Sequence, residues 1–118
     1  MNASMVSMRA LHHPDLAAVD LATLFSALAD PVRLSVVRQL AQSGGVVCGK
    51  FEALSEVSMS TLSHHLKVLR EAGILRVTPN GSFRRHELRA DEINDRFPGL
   101  LPAVTANLGI SQTAGALA

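Results

Sequence analysis

Apolar residues recur at helical spacing over most of this chain. Between residues 15 and 29, Leu16, Val19, Leu24, Phe25 and Leu28 fall on one face, which predicts a helix. Asp30-Pro31 follows as a start signal, with Asp as the cap and Pro at the first helical position. Val32, Leu34, Val37 and Leu40 then run down a second helix, which Ser43-Gly44-Gly45 ends. A short apolar stretch, Val46-Val47-Cys48, leads to a third helix around Lys50–Leu54. Ser58 is placed to cap a fourth helix reaching Ala72, with Gly73 just past its end. Leu62, Leu66 and Leu69 sit at i, i+4 and i+7 and form its core face.

Beyond Gly73 the period shortens. Ile74–Thr78 and Ser82–Arg89 are expected to be strands around Pro79-Asn80-Gly81, with Asn-Gly as the hairpin signal. Asp91 is expected to cap a last helical region, interrupted near Pro98 and Pro102. Residues 1–14 are expected to be a flexible arm, in which Met1, Met5 and Met8 are each a candidate start of translation. Residues 15–110 form the folded domain, and residues 111–118 a frayed tail. The fold class is mainly α with a small β-hairpin.

Composition narrows the class. With 118 residues, 47% of them apolar, the chain suits one core and is not a disordered charged polymer. No apolar run is long enough for a membrane helix, and the first eight residues lack a secretory signal pattern. The lone Cys48 excludes an internal disulfide framework and points to a reducing cytoplasm. With no Trp, no Tyr and four Phe, an aromatic platform for single-stranded nucleic acid is not expected.

Charge, nearly balanced overall, is uneven along the chain. Residues 58–89 carry a net +4 and the remainder −3. Such a cluster fits a solvated face, or the electrostatic footprint of a phosphate-binding surface. The second reading gains weight because the cluster coincides with the amphipathic helix and the hairpin. A slim helix supported from behind, followed by a basic hairpin, reads as a winged helix-turn-helix that places a helix in the DNA major groove. The polar side of that helix holds Ser60, Thr61, Ser63, His64 and Lys67, with Ser58 and Arg70 towards its ends, and the hairpin adds Arg84 and Arg85. These nine residues are candidate DNA contacts.

Two segments also resemble a known family. Ala29-Asp30-Pro31-Val32-Arg33-Leu34, with Val37 and Leu40, is similar to the second-helix signature of the ArsR/SmtB family of bacterial repressors. The run from Ser60 through His64, His65 and Lys67 to Leu75 is similar to its recognition helix and wing entry. The resemblance spans about residues 16–108. It implies a homodimeric winged-helix regulator whose first and last helices make the dimer interface, each protomer reading half of an inverted repeat in double-stranded DNA. It also implies that Ser60, Thr61, Ser63, His64 and His65 face DNA, with Arg84 and Arg85 in the wing.

The sensing chemistry departs from that family. Members that sense metals often carry Cys-x-Cys on the third helix, where this chain has Val46-Val47-Cys48. Leu100–Ile110 holds no His, Cys, Asp or Glu, so the family's C-terminal ligand set is missing. Three readings stand side by side. Cys48 with His12 and His13 forms a site for a transition metal such as zinc or nickel, with Asp15 as an additional oxygen donor. Alternatively, Cys48 is buried and structural and the His pair solvated. Or Cys48 is a thiol switch. A fourth possibility is a dimeric module without a ligand of its own, regulated by a partner protein. His86, on a basic strand, reads as structural or phosphate-facing. No enzyme is expected: there is no Gly-rich phosphate loop, and consecutive His64 and His65 diverge by about 100° on a helix.

Overall fold

The computed structural model describes residues 11–47 and 56–117, with side chains over 11–45 and 56–108. The third helix expected around Lys50–Leu54, and Cys48, lie outside the described residues.

The predicted helix over 15–29 is split. A single 3-10 turn, Leu16–Ala18, is capped by Asp15, and α1, Leu21–Leu28, is capped by Asp20, whose Oδ1 accepts from Thr23 N at 2.8 Å. Two Asp caps five residues apart compete with a continuous helix, because each offers the backbone a local hydrogen bond at an extended residue. Leu16, Val19, Leu24 and Leu28 are still buried, but Phe25 is 50% exposed. Next, α2 spans Pro31–Ser43. Asp30 Oδ2 accepts from Val32 N and Arg33 N, and Gly44 ends the helix with φ 78°. The N–H of Arg33, chiefly, holds the Asp30 carboxyl below its ordinary range.

Strand β1, Val46–Val47, pairs antiparallel with β3, Phe83–Leu88, which pairs with β2, Leu75–Asn80. The sheet order is β1-β3-β2, so β2 is an edge strand. Asn80 lies opposite Phe83, so the two-residue loop is Gly81-Ser82 rather than one centred on Asn80-Gly81. Only the glycine needs positive φ, at 64°, which matches the hairpin turn with Gly at its first central position.

Between β1 and β2 runs α3, Met59–Glu71. It ends as the glycine predicted. Gly73 N donates to Arg70 O, and Ile74 N to Leu69 O, the paired bonds of a Schellman motif. Leu62, Leu66 and Leu69 are buried and join Val36, Val37, Leu40, Ile74 and Leu75 in one core.

After the sheet comes α4, Ala90–Arg96. Arg89, not Asp91, is its N-cap residue, and Asp91 sits in the first turn. Helix α5, Leu100–Leu117, begins after Gly99 and carries Pro102 in its first turn, where a missing N–H costs nothing. The helix runs through residues 111–117 of the tail, with no further proline to interrupt it. Among the described residues, no helix is long and apolar enough to cross a membrane.

Of the N-terminal arm, residues 11–14 are described. Residues 11–14 lack regular structure but are bound to three elements. Arg70 donates to His12 O, Val77 N to His13 Nε2 at 3.0 Å, and Arg89 Nη1 to Pro14 O at 2.8 Å. Polar partners on the fold, rather than hydrophobic periodicity, order this segment.

Candidate nucleic-acid interface

Helix α3 is organised as an insertion element. Its leucine face is consumed by the core, which leaves Ser60, Thr61, Ser63, His64 and Lys67 exposed on the other side. All but Lys67 lie in the first two turns, where the helix N-terminus attracts phosphate. Met59, at the tip of the helix, is 60% exposed and was not foreseen as part of this surface.

Four of the ten expected contacts are committed elsewhere. Ser58 Oγ accepts from Thr61 N at 3.2 Å and donates to Thr61 Oγ1 at 2.9 Å, so its hydroxyl serves as the helix cap. His65 turns inward: its Nδ1 lies 3.0 Å from Arg33 Nη1 and 3.8 Å from Asp30 Oδ2, and its side chain is 12% exposed. Helical geometry separates it from the exposed His64 by about 100°. Arg70 holds the His12 carbonyl. Arg85 Nη2 reaches the Gly44 carbonyl at 3.1 Å, completing the α2 C-terminus, where a cation complements the helix dipole.

Pairing in the sheet explains the difference between the two wing arginines. Successive residues on β3 point to opposite faces. Arg84 shares a face with His86 and lies opposite Pro79, while Arg85 lies opposite Val47 and Thr78. The first face turns toward α3. There Arg84, Lys67, Ser63, Arg70, Leu66, Val77, His86 and Leu11 surround a cleft of about 240 Å³.

The basic cluster is therefore partly neutralised. Arg89 makes a two-pronged contact with Glu92, at 3.1 Å and 2.7 Å, and Arg76 binds the same carboxylate at 2.6 Å. These bonds, Arg89's foremost, lower the Glu92 pKa to about 2. Lys67 and Arg84 hold no hydrogen bond or ion pair among the described residues, and both flank the cleft.

The metal candidates fare differently. His13 Nε2 is occupied by the Val77 N–H, and Arg70, Arg76 and Arg89 all act on the ring electrostatically. Three cations around one imidazole are a poor setting for a divalent ion. Among the described residues no three His, Cys, Asp or Glu side chains converge. Cys48, which completes the candidate set with His12 and His13, lies outside the described residues.

Two structural residues escaped the sequence reading. Arg33 sits in the first turn of α2, where a cation opposes the helix dipole. That mismatch was the available signal, and the structure answers it with bonds to Ala27 O, Ser26 O and His65. Arg89 is 6% exposed, and its partner Glu92 lies just past the basic cluster.

A capped amphipathic helix, its polar side open, beside a hairpin carrying a free arginine defines a winged helix-turn-helix protein. Residues 28–78 match the family described as "Helix-turn-helix domain". The HTH-type transcriptional regulator YceK of Bacillus subtilis is 35% identical over 81 residues, covering 68% of this chain and 81% of the relative. The arsenical resistance operon repressor of the same organism is 34% identical over 70 residues, covering 59% of this chain and 67% of the relative. An HTH-type transcriptional regulator of Methanocaldococcus jannaschii is 32% identical over 75 residues, with 63% and 83% covered. The chain belongs to the ArsR family of helix-turn-helix transcriptional regulators.

Proposed function

We propose that this chain is a homodimeric repressor that binds an inverted repeat in double-stranded DNA, one half-site per protomer. The observation that carries the reading is the open surface of α3. Ser60, Thr61, Ser63 and His64 supply donors and acceptors for base edges, while Lys67 and Arg84 flank them as uncommitted cations for phosphates. Dimerisation is supported by Leu21 and Phe25, 42% and 50% exposed on α1, and by residues 97–118, which contain no charged side chain. A two-fold pair of α3 helices would span half-sites about one DNA turn apart. The name of the Bacillus subtilis arsenical repressor supports repression as the direction of control.

Control by an effector acts through linkage. A signal that favours one dimer geometry changes operator affinity by a coupling energy of about 1–3 kcal/mol. A metal held by His12, His13 and Cys48 would have to displace the Val77 bond and enter an arginine-rich setting. That competition favours a thiol signal at Cys48 or a protein partner over zinc or nickel.

The test is fluorescence anisotropy on the DNA upstream of the gene, in chelator, then with zinc or nickel, then with a thiol oxidant. A specific, salt-sensitive complex indifferent to metal supports the reading. A change of about tenfold or more on adding metal (about 1.4 kcal/mol) reinstates the metal sensor. Equal affinity for random DNA overturns sequence-specific regulation.

A further inference from the structure

The cleft between the recognition helix and the wing carries charge that no carboxylate balances. Ser63 and Lys67, one turn apart on α3, form one wall, and Arg84 of β3 forms another. Among the described residues neither Lys67 nor Arg84 holds a hydrogen bond or ion pair. Arg70, whose Nη1 is engaged by the His12 carbonyl, adds a third cation to the lining. No Asp or Glu lines the cleft, and Glu92 is held by Arg76 and Arg89. Cations gathered around a narrow space with no counterion focus positive potential there. The lining is not wholly polar, because Leu11, Leu66 and Val77 give it an aliphatic side. A DNA phosphate would use the cations and leave that side bare.

We propose that this cleft binds a free small organic carboxylate with a compact apolar body, and that the bound carboxylate competes with DNA. The volume, about 240 Å³, lies below the roughly 300–1,000 Å³ of sites for drug-sized ligands. That limits the body to a single ring or a short branched chain. In so small a space a planar carboxylate leaves more room for the body than a tetrahedral phosphate does. The carboxylate accepts from the Arg84 guanidinium and the Lys67 ammonium, with the Ser63 hydroxyl as a further donor. The body rests against Leu11, Leu66 and Val77. Lys67 and Arg84 are also the cations assigned above to DNA phosphates. The competition therefore rests on that reading, whereas carboxylate binding by the free protein does not. One occupant excludes the other at the same side chains, so mass action converts a rising carboxylate concentration into release of DNA. Such a ligand acts at the DNA-facing surface itself and needs no change in dimer geometry.

The experiment titrates the full-length protein, without DNA, with benzoate and with acetate, at an ionic strength held constant by chloride. Amide chemical shifts of Ser63, Lys67, Val77 and Arg84 are followed. Benzoate is expected to give saturable shifts at these positions and to bind about tenfold more tightly than acetate, which has the charge without the apolar body. Lys67→Ala and Arg84→Ala should each weaken benzoate about tenfold, with unfolding unchanged. Leu11→Ala should weaken benzoate and leave acetate as it was. On the upstream duplex, benzoate at about ten times its own Kd should lower DNA affinity about tenfold or more relative to chloride. Shifts that never saturate, or equal binding of benzoate and acetate, overturn the proposal and leave the DNA phosphate as the occupant of the cleft. Duplex affinity that benzoate leaves unchanged overturns it as well. Should the protein bind no duplex at all, the DNA-binding reading fails, and the shifts measured without DNA still decide the carboxylate site.

Discussion

Arg33 Nη1 lies 3.0 Å from His65 Nδ1, and this contact joins the start of α2 to the middle of the recognition helix. An arginine has only donors to offer, so Nδ1 is the acceptor and a neutral His65 carries its proton on Nε2. The same guanidinium donates through Nε to Ala27 O and through Nη2 to Ser26 O, at the end of α1. One side chain therefore fixes the recognition helix against the helix whose outer face holds Leu21 and Phe25. A double-mutant cycle of Arg33→Ala and His65→Ala should give a coupling of about 0.5–1.5 kcal/mol in denaturant unfolding. Additive effects would mean that the contact contributes nothing.

The two adjacent histidines should separate by phenotype. His64→Ala is expected to leave unfolding unchanged and to reduce discrimination between operator and random DNA. His65→Ala should lower stability and weaken binding to all duplexes alike. Identical profiles for the two variants would contradict their opposite orientations on α3.

Arg84 and Arg85 should differ in salt dependence. Losing one phosphate contact lowers the slope of log affinity against log salt by about 0.9. Arg84→Ala should show that drop with unfolding unaffected. Arg85→Ala should keep the slope and lose about 0.5–1 kcal/mol of stability, because it breaks the bond to Gly44 O. A reduced slope in the Arg85 variant instead would place that residue on DNA.

Gly73 is constrained twice. Its φ of 85° is left-handed, and a Cβ there would sit 3.2 Å from Val19 Cγ2 and 3.3 Å from Leu16 Cδ2. Gly73→Ala should cost about 1–2 kcal/mol from backbone conformation alone, read as a lower denaturation midpoint. Gly81→Ala, also at positive φ but in open space, should cost only that conformational share. Equal losses at the two sites would show that packing against Leu16 and Val19 is immaterial.

Glu92 should dominate the acid sensitivity of the wing root. Its folded pKa is lowered from 4.5 to about 2, so its contribution is complete above 4.5 and drains away as pH falls toward 2. Chemical denaturation of Glu92→Gln across that window should be flatter than wild type, and the two curves should converge at the acid end. Parallel curves would assign acid sensitivity to other carboxylates.

Local chemistry was legible in the residues themselves. The Asp30-Pro31 start, the Ser58 cap, the Gly73 stop and the Leu62, Leu66 and Leu69 stripe each involve groups within a few positions of one another. Their bonds close inside a single turn, so the chain pattern alone determines them. The split at Asp20 was local too, yet apolar periodicity masked it, because Val19 and Leu24 are buried on either side of the break.

Partners distant in sequence were not legible. His65 reads as a base-contacting polar residue until Arg33, 32 positions away, is brought beside it. Arg85 reads as a free wing cation until the sheet sets it against Gly44, and nothing near His13 in sequence points to Val77 until the edge of β2 presents it. Composition and spacing supply the stock of donors, acceptors and charges and the helices that carry them. Which of those groups remain open to DNA depends on packing, because a hydrogen bond forms only between atoms that the tertiary fold brings within about 3 Å.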